Sequence, residues 1–359
     1  MDYSKFISPI RRSVETPKDL IKDGKAVFGT FDKEFETMDL VSTIKPTALP
    51  SSFNKSRLTL WEACEIHLKE GLLLVALSDM ALFGITKMIF FDYRTRKVYS
   101  IDNTLKSKDT IIAPNLINGS RAFAETKNSR VEFINNFDKG EAKVSGSHLK
   151  DDDYFEYSFE LKKLSNPSVV SIPFGDNRPL YTEKMFFEAK GYLRFNDELI
   201  ETDSESCAII DDHRGFYPRK AHYDWLTTMG KIKVNGKDEW IAFNLTRNQS
   251  IDQEKYNENL IWREGRSSLL PPVTFTKDKD VKELLKGEKQ TVHVKDEHGM
   301  VDLVYEIEAC SPMITHALIV KIDYYVTFGK ISGFLIDEDG TKYEFDNVEA
   351  IGEDKTLLL

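Results

Sequence analysis

The sequence predicts an all-β protein of many short antiparallel strands arranged as two units in tandem, and three observations predict it. Apolar and polar residues alternate along nearly the whole chain, turn residues interrupt that alternation about every 8 to 12 positions, and helical periodicity is almost absent. Such a pattern points to sandwiches or barrels.

The clearest element is residues 58–68. Leu58, Leu60, Glu62, Cys64, Ile66 and Leu68 share one face, and Thr59, Trp61, Ala63, Glu65 and His67 share the other. A period of two is a strand, with Glu62 the polar exception on its apolar face. Residues 71–78 follow after the turn Lys69-Glu70, then 84–91, the turn Asp92-Tyr93-Arg94-Thr95, and 97–101, which together read as an antiparallel meander. Further strands are expected at 121–126, 130–133, 142–148, 154–161 and 168–172, with turns at Lys127-Asn128, Asp138-Lys139-Gly140 and Asp151-Asp152-Asp153.

A second series covers 185–195, 207–210, 231–234, 239–246, 259–262, 301–308, 317–328 and 330–336. Asn235-Gly236 and Asp339-Gly340 are good tight-hairpin pairs. Short helical segments are expected only at 18–22 and 280–286. Pro167, Pro173, Gly175, Asp176, Asn177 and Pro179 cluster between the two series. They place a boundary near residue 180, giving an N-terminal unit, 1–180, with an extension to about residue 50, and a C-terminal unit, 181–359. The hairpins around Asp92-Tyr93-Arg94 and Arg263-Glu264-Gly265 echo each other faintly, as two related barrels would.

Composition narrows the partners. The 359 residues carry a net charge of −10, with 41% hydrophobic and 30% charged residues. That balance argues against a counterion-release grip on nucleic acid. Arg11, Arg12, Glu15, Lys18 and Asp19 break up any apolar leader, and no apolar run approaches the ~20 residues that span a bilayer. Cys64, Cys207 and Cys310 are odd in number and far apart, which fits buried reduced thiols and a cytoplasmic setting. Dinucleotide, P-loop, zinc-protease, nucleophile-elbow and EF-hand motifs are missing, so no cofactor and no metal are implied.

One segment stands apart. Residues 209–225 hold Asp211, Asp212, His213, Arg214, Tyr217, His222, Tyr223, Asp224 and Trp225, three carboxylates and two His among aromatic rings. They are expected to form a strand end, an irregular Gly215/Pro218 loop and an aromatic strand. If the loop closes a barrel mouth, apolar walls around Asp211 or Asp212 would raise its pKa and keep a proton donor near neutral pH. His213 or His222 could then shuttle the proton, and Tyr223 and Trp225 could face a cationic intermediate. The plainer reading pairs Asp211 with Arg214 and puts Trp225 in the core. Asn244 interrupts the apolar strand 240–245 and, with Glu258 and Asn259, forms a second polar group that orients either a ligand or a loop. Trp61 and Trp262 read as core, and Asp79 as a strand-end turn former.

Trp61-Glu62, the Phe91-Asp92 hairpin, the series Asp211, Arg214-Gly215, Pro218 and Trp225, then Asn244, Glu258-Asn259, Phe328-Gly329, Gly333, Asp339-Gly340 and Gly352-Glu353-Asp354 together resemble the bacterial family catalogued as domain of unknown function 2804. The match runs from about residue 25 to the end. This family is similar in architecture to AttH-like proteins, carotenoid hydratases and tocopherol cyclases, so the resemblance implies two tandem lipocalin-like (calycin-type) barrels or strongly curved sheets. It also implies binding of a lipophilic small molecule, in a barrel or between the domains. Relatives of this kind protonate a C=C bond and stabilise the carbocation with rings. By analogy Asp211 is the acid, His213 or His222 and Tyr223 assist, and Trp225 lines the cavity, while Lys355 to the C-terminus offers no matching charged tail. The reading is a cytoplasmic binder of a lipophilic molecule without cofactor. Its alternatives are an acid-catalysed hydratase, cyclase or isomerase on an isoprenoid-like substrate, and a β-protein serving protein contacts. Whether it catalyses, and its oligomeric state, are left open.

Overall fold

The computed structural model describes residues 10–150, 153–234, 236–317 and 320–358. Asp151, Asp152 and Asn235, which belong to two of the expected turns, lie outside the described residues, as does Leu359. The chain is all-β, with two large, strongly curved antiparallel sheets and five short 3₁₀ segments among the described residues. No helix among them is long and apolar enough to cross a membrane.

The first sheet joins two meanders through one strand. Thr59–His67, Gly71–Asp79, Phe83–Asp92 and Lys97–Lys106 pair consecutively, as the alternation predicts. Ser120–Glu125, Ser129–Asn136, Glu141–Lys150, Asp153–Lys163 and Pro179–Phe195 form the other run. Cys207–Gly215 lies between them, pairing with Pro179–Phe195 on one edge and Thr59–His67 on the other. The sheet curls until its far ends meet: Asn135 donates to Glu62 Oε1 at 2.6 Å across the interior, and Asn103 reaches Ser129 Oγ at 3.1 Å. Cys64, Ile66, Val75, Met88, Phe133 and Phe159 fill it.

The second sheet runs from Arg266–Leu269 through Leu260–Arg263, Lys237–Arg247, Lys220–Val234, Lys342–Leu358, Val320–Ile336, Val301–Ala317 and Gln290–Lys295 to Thr274–Lys277. Leu226, Phe243, Ile261, Leu303, Ile331 and Tyr343 form its own core. A third cluster packs one sheet on the other, with Phe91 stacked on Phe328 at 4.9 Å between centroids. Arg96, from the first sheet, donates to Glu308 at 2.8 Å and Glu349 at 2.6 Å in the second.

Several expectations need adjusting. Residues 18–22 form no helix, since Ile21–Lys22 is a short strand, whereas Val281–Lys286 is a 3₁₀ turn capped by Asp280 and ended by Gly287 at φ +81°. Cys207–Gly215 is strand to its end, so only residues 216–219 form the irregular connection expected to begin at Asp211. Residues 181–215 hydrogen-bond into the first sheet, so sheet membership changes between Gly215 and Lys220 rather than near 180. Val320–Ile336 is one continuous strand through Gly329, because a glycine there lets the partner strand approach. A Cβ at Gly329 would sit 2.0 Å from Glu306 O and 2.9 Å from Ile307 Cα. Gly329→Ala is therefore expected to cost about 3 kcal/mol by forcing the strands apart, measurable as a lower urea midpoint with an unchanged m-value.

Candidate functional site

The alternation within Cys207–Gly215 separates the two adjacent aspartates. Asp211 lies opposite Lys184 and Ala63 and faces the second sheet, whereas Asp212 lies opposite Glu183 and Glu62 and points into the first sheet's interior. There Asp212 accepts a two-point clasp from Arg214, Nε at 2.6 Å and Nη2 at 2.9 Å. Arg214 thus pairs with Asp212, not Asp211, and both lie away from the cleft between the sheets.

That cleft is walled by Trp61, Phe174, Tyr217, Tyr223 and Trp225, with Glu65, Lys184, Asp211, His213, Glu258, Glu353 and Lys355 among its polar lining. It encloses about 780 Å³ of free space including its mouth. It is a slot suited to a flat or slender group.

The polar floor is a four-residue cluster. Lys184 Nζ lies 2.6 Å from Asp211 Oδ2, 3.2 Å from Glu258 Oε2 and 2.8 Å from His213 Nε2. His213 Nε2 is also 3.0 Å from Asp211 Oδ1, so this ring nitrogen either accepts from Lys184 or carries a proton toward Asp211. Thr182 and Asn248 each donate to Glu258 at 3.2 Å. Burial alone would raise the Asp211 carboxyl, but His213 and Lys184 outweigh it and hold Asp211 well below the usual carboxylate range. Glu258 is lowered too, because Lys184 and His213 overcome its burial. Of the two aspartates expected behind apolar walls, burial raises Asp212 despite Arg214, while His213 and Lys184 lower Asp211; Lys184 has no place in the expectation from sequence.

Other carboxyls are raised above their ordinary range. Burial, and then the Asp211 charge, push Glu65 well above its ordinary value. Glu353, which accepts from the Tyr324 hydroxyl, is also raised by burial, against the pull of Lys355. Asp211 Oδ1 has His213 Nε2 at 3.0 Å, whereas Glu65 Oε2 is buried without a hydrogen bond among the described residues, and such a group costs about 1–3 kcal/mol until it finds a partner.

Asn244 and Asn259 brace the walls. Asn244 accepts from Trp225 Nε1 at 2.7 Å and donates to Glu258 O at 2.9 Å, which fixes both the ring and the segment bearing Glu258. Asn259 accepts from Thr246 N at 2.7 Å and donates to Pro271 O at 2.9 Å. Arg11 clamps the same segment through Asn257 at 2.6 Å and Asn259 O at 2.9 Å. Both asparagines orient loop and wall, the loop-orienting side of the expectation.

His222 does not join Asp211. It sits on the opposite face of Lys220–Val234 from Tyr223, 3.2 Å from Asp224, which raises its pKa. His222, Asp224 and Asp354 could together hold a cation, but Lys277 already bridges both aspartates, at 2.7 Å from Asp354. Trp61, expected as core, lines the cleft; Trp262 is buried and Asp79 accepts from Ala81 N in a turn, as expected.

From sequence, none of Glu65, Lys184, Glu353 and Lys355 has a role in the site. Lys342–Leu358 was not expected as a strand because its Asp, Asn and Gly content reads as turn, and so Lys355 passed as a plain tail.

The sequence profile described as Domain of unknown function (DUF2804) matches residues 11–357. The chain belongs to this family. No curated protein matches it. Among solved structures, this DUF2804 chain is similar to kievitone hydratase from Nectria haematococca, at 10% identity over 84% of this chain and 88% of that one, with a TM-score of 0.48. It is also similar to CghA, at 10% identity over 98% and 97% of the two chains, with a TM-score of 0.38.

Proposed function

We propose that the cleft between the two sheets binds a compact lipophilic small molecule bearing one hydrogen-bonding group. The observation that carries this reading is the pairing of an aromatic wall, Trp61, Tyr217, Tyr223 and Trp225, with a buried polar floor in which Glu65 Oε2 has no hydrogen-bond partner among the described residues. Apolar surface would enter against the rings, and a polar group on the ligand would satisfy Glu65 Oε2. The division into two lipocalin-like units and a cytoplasmic setting belong to the same reading. Sheet membership supports the first, with the junction at residues 216–219, and three free cysteines support the second.

A catalytic reading also has an observation in its favour. Burial raises Glu65 while His213 and Lys184 lower Asp211, a divergence of the kind that splits acid and base roles in proton-transfer chemistry. In that reading Glu65 is the donor, and Asp211 with His213 takes the proton back.

Tryptophan fluorescence titrations with apolar alcohols and the matching hydrocarbons test the binding reading. The alcohols are expected to bind better, and Trp225→Ala to weaken them roughly ten-fold or more. Equal binding in wild type and Trp225→Ala would contradict it.

A further inference from the structure

Lys355 is placed unlike the other cleft lysine. Its strand, Lys342–Leu358, lies between Lys220–Val234 and Val320–Ile336, and the register sets Lys355 opposite both Tyr223 and Tyr324. The ammonium is caged by three rings, 4.5 Å from the Tyr324 centroid, 5.3 Å from Trp61 and 5.4 Å from Tyr223. Lys184 by contrast is held by two carboxylates. Among the described residues no carboxylate comes within ion-pair distance of Lys355, and the residue lines the cleft beside Glu353 and Leu357.

We propose that Lys355 is a covalent anchoring site for a carbonyl compound, an aldehyde or ketone with an apolar body, which it holds as an imine. The proposal rests on the cleft being a ligand site and names its substrate class. In the step, the lone pair of the neutral amine forms a C–N bond to the carbonyl carbon as the C=O π bond opens onto oxygen. Oxygen takes a proton as the nitrogen gives up its first, an exchange that the Glu353 carboxyl can relay. The carbinolamine then loses water and the nitrogen its second proton, so that R–CHO and Lys–NH₂ yield R–CH=N–Lys and H₂O.

The environment suits that chemistry. Burial, with the charge of Lys87 behind Tyr324 adding to it, brings Lys355 down to about 8 against the opposing pull of Glu353. Lys87 is itself fixed by Asp102 at 2.7 Å and lies 5.7 Å from the Tyr324 ring. The titratable groups around Lys355 are therefore Glu353 on its own strand, Tyr223 and Tyr324 on the flanking strands, and Lys87 and Glu65 from the first sheet. At pH 8 such an amine is neutral on the order of a hundred-fold more often than a lysine of ordinary pKa. A desolvated lysine beside a second cation is an established way to make an amine nucleophilic.

Full-length protein incubated with benzaldehyde at pH 8 and reduced with sodium borohydride tests the proposal by intact mass and peptide mapping. One benzyl group is expected on the peptide containing Lys355, formed roughly 10- to 100-fold faster than on surface lysines. It should be lost in Lys355→Arg, which keeps the charge, with cooperative thermal unfolding as the fold check. Benzyl alcohol, followed by tryptophan fluorescence, separates the two levels. If the alcohol binds in the cleft but the aldehyde labels Lys355 no faster than other lysines, the imine is overturned and the binding reading stands. If neither enters the cleft, both fall.

Discussion

Lys184→Met is expected to lower the unfolding free energy by about 3–5 kcal/mol near pH 7, the usual cost of leaving buried charges without their partner. Lys184 is the only cation in direct ion-pair contact with Asp211 and Glu258 that does not depend on His213 taking up a proton, among the described residues. Its own ammonium is kept charged because Asp211 and Glu258 outweigh its burial. Removing it strands two carboxylates between the sheets, where they must either repel each other or take up protons. Asp211→Asn and Glu258→Gln added to Lys184→Met should therefore recover much of the loss, a coupling readable in a mutant cycle by urea unfolding. A cost below about 1 kcal/mol would mean that the cluster is effectively solvated.

The second large effect is in pH. Stability is expected to fall as pH rises from about 6.5 to 8, and Glu62→Gln should flatten that fall. Glu62 is buried inside the first sheet, and burial with the Asp212 charge pushes its pKa from 4.5 to about 8. Glu34, also buried, is raised to about 7. A carboxyl whose folded pKa is raised binds its proton more tightly in the folded state. Its penalty is absent below pH 4.5, grows as pH climbs, and is complete above the folded pKa. At ~1.4 kcal/mol per unit, Glu62 alone amounts to on the order of 4–5 kcal/mol.

Opposing groups act outside that window. His67, lowered by burial to about 4, adds stability as pH rises from about 4 to 6.5, and Lys355, at about 8, does so only from there to 10.5. His222, raised by Asp224, acts with the carboxyls, because its contribution is lost as pH passes its folded pKa. The Gln side chain still accepts from Asn135, so the variant removes the charge and keeps the hydrogen bond. Thermal unfolding across pH 5 to 9 is the measurement, and a profile rising from pH 6.5 to 8 would refute this assignment.

Much of the fold was legible because a period of two survives wherever one face of a strand is buried, as along Ser129–Asn136. The cluster at Asp211 and His213 was legible as a density of polar and aromatic residues. Its partners were not, because register is a long-range property. Lys184 meets Asp211 only through pairing of Pro179–Phe195 with Cys207–Gly215, and Glu65 joins them only because Thr59–His67 takes the other edge. The reversal of Asp211 from acid to anion has the same origin. Burial was foreseeable from its apolar neighbours, whereas Lys184, which with His213 sets the sign, comes from a strand more than 25 residues away. Which aspartate faces the cleft was undecidable without the pairing, since a one-residue shift exchanges them.

The claim on which the account turns is that the inter-sheet cleft holds a small molecule. Native mass spectrometry of the full-length protein purified from its own host tests it most directly, with Trp225→Ala purified in parallel. The account predicts one lipophilic species retained at one per chain by the wild type and lost from the variant. A folded wild-type protein that carries nothing, and into which no apolar alcohol binds on titration, would contradict it.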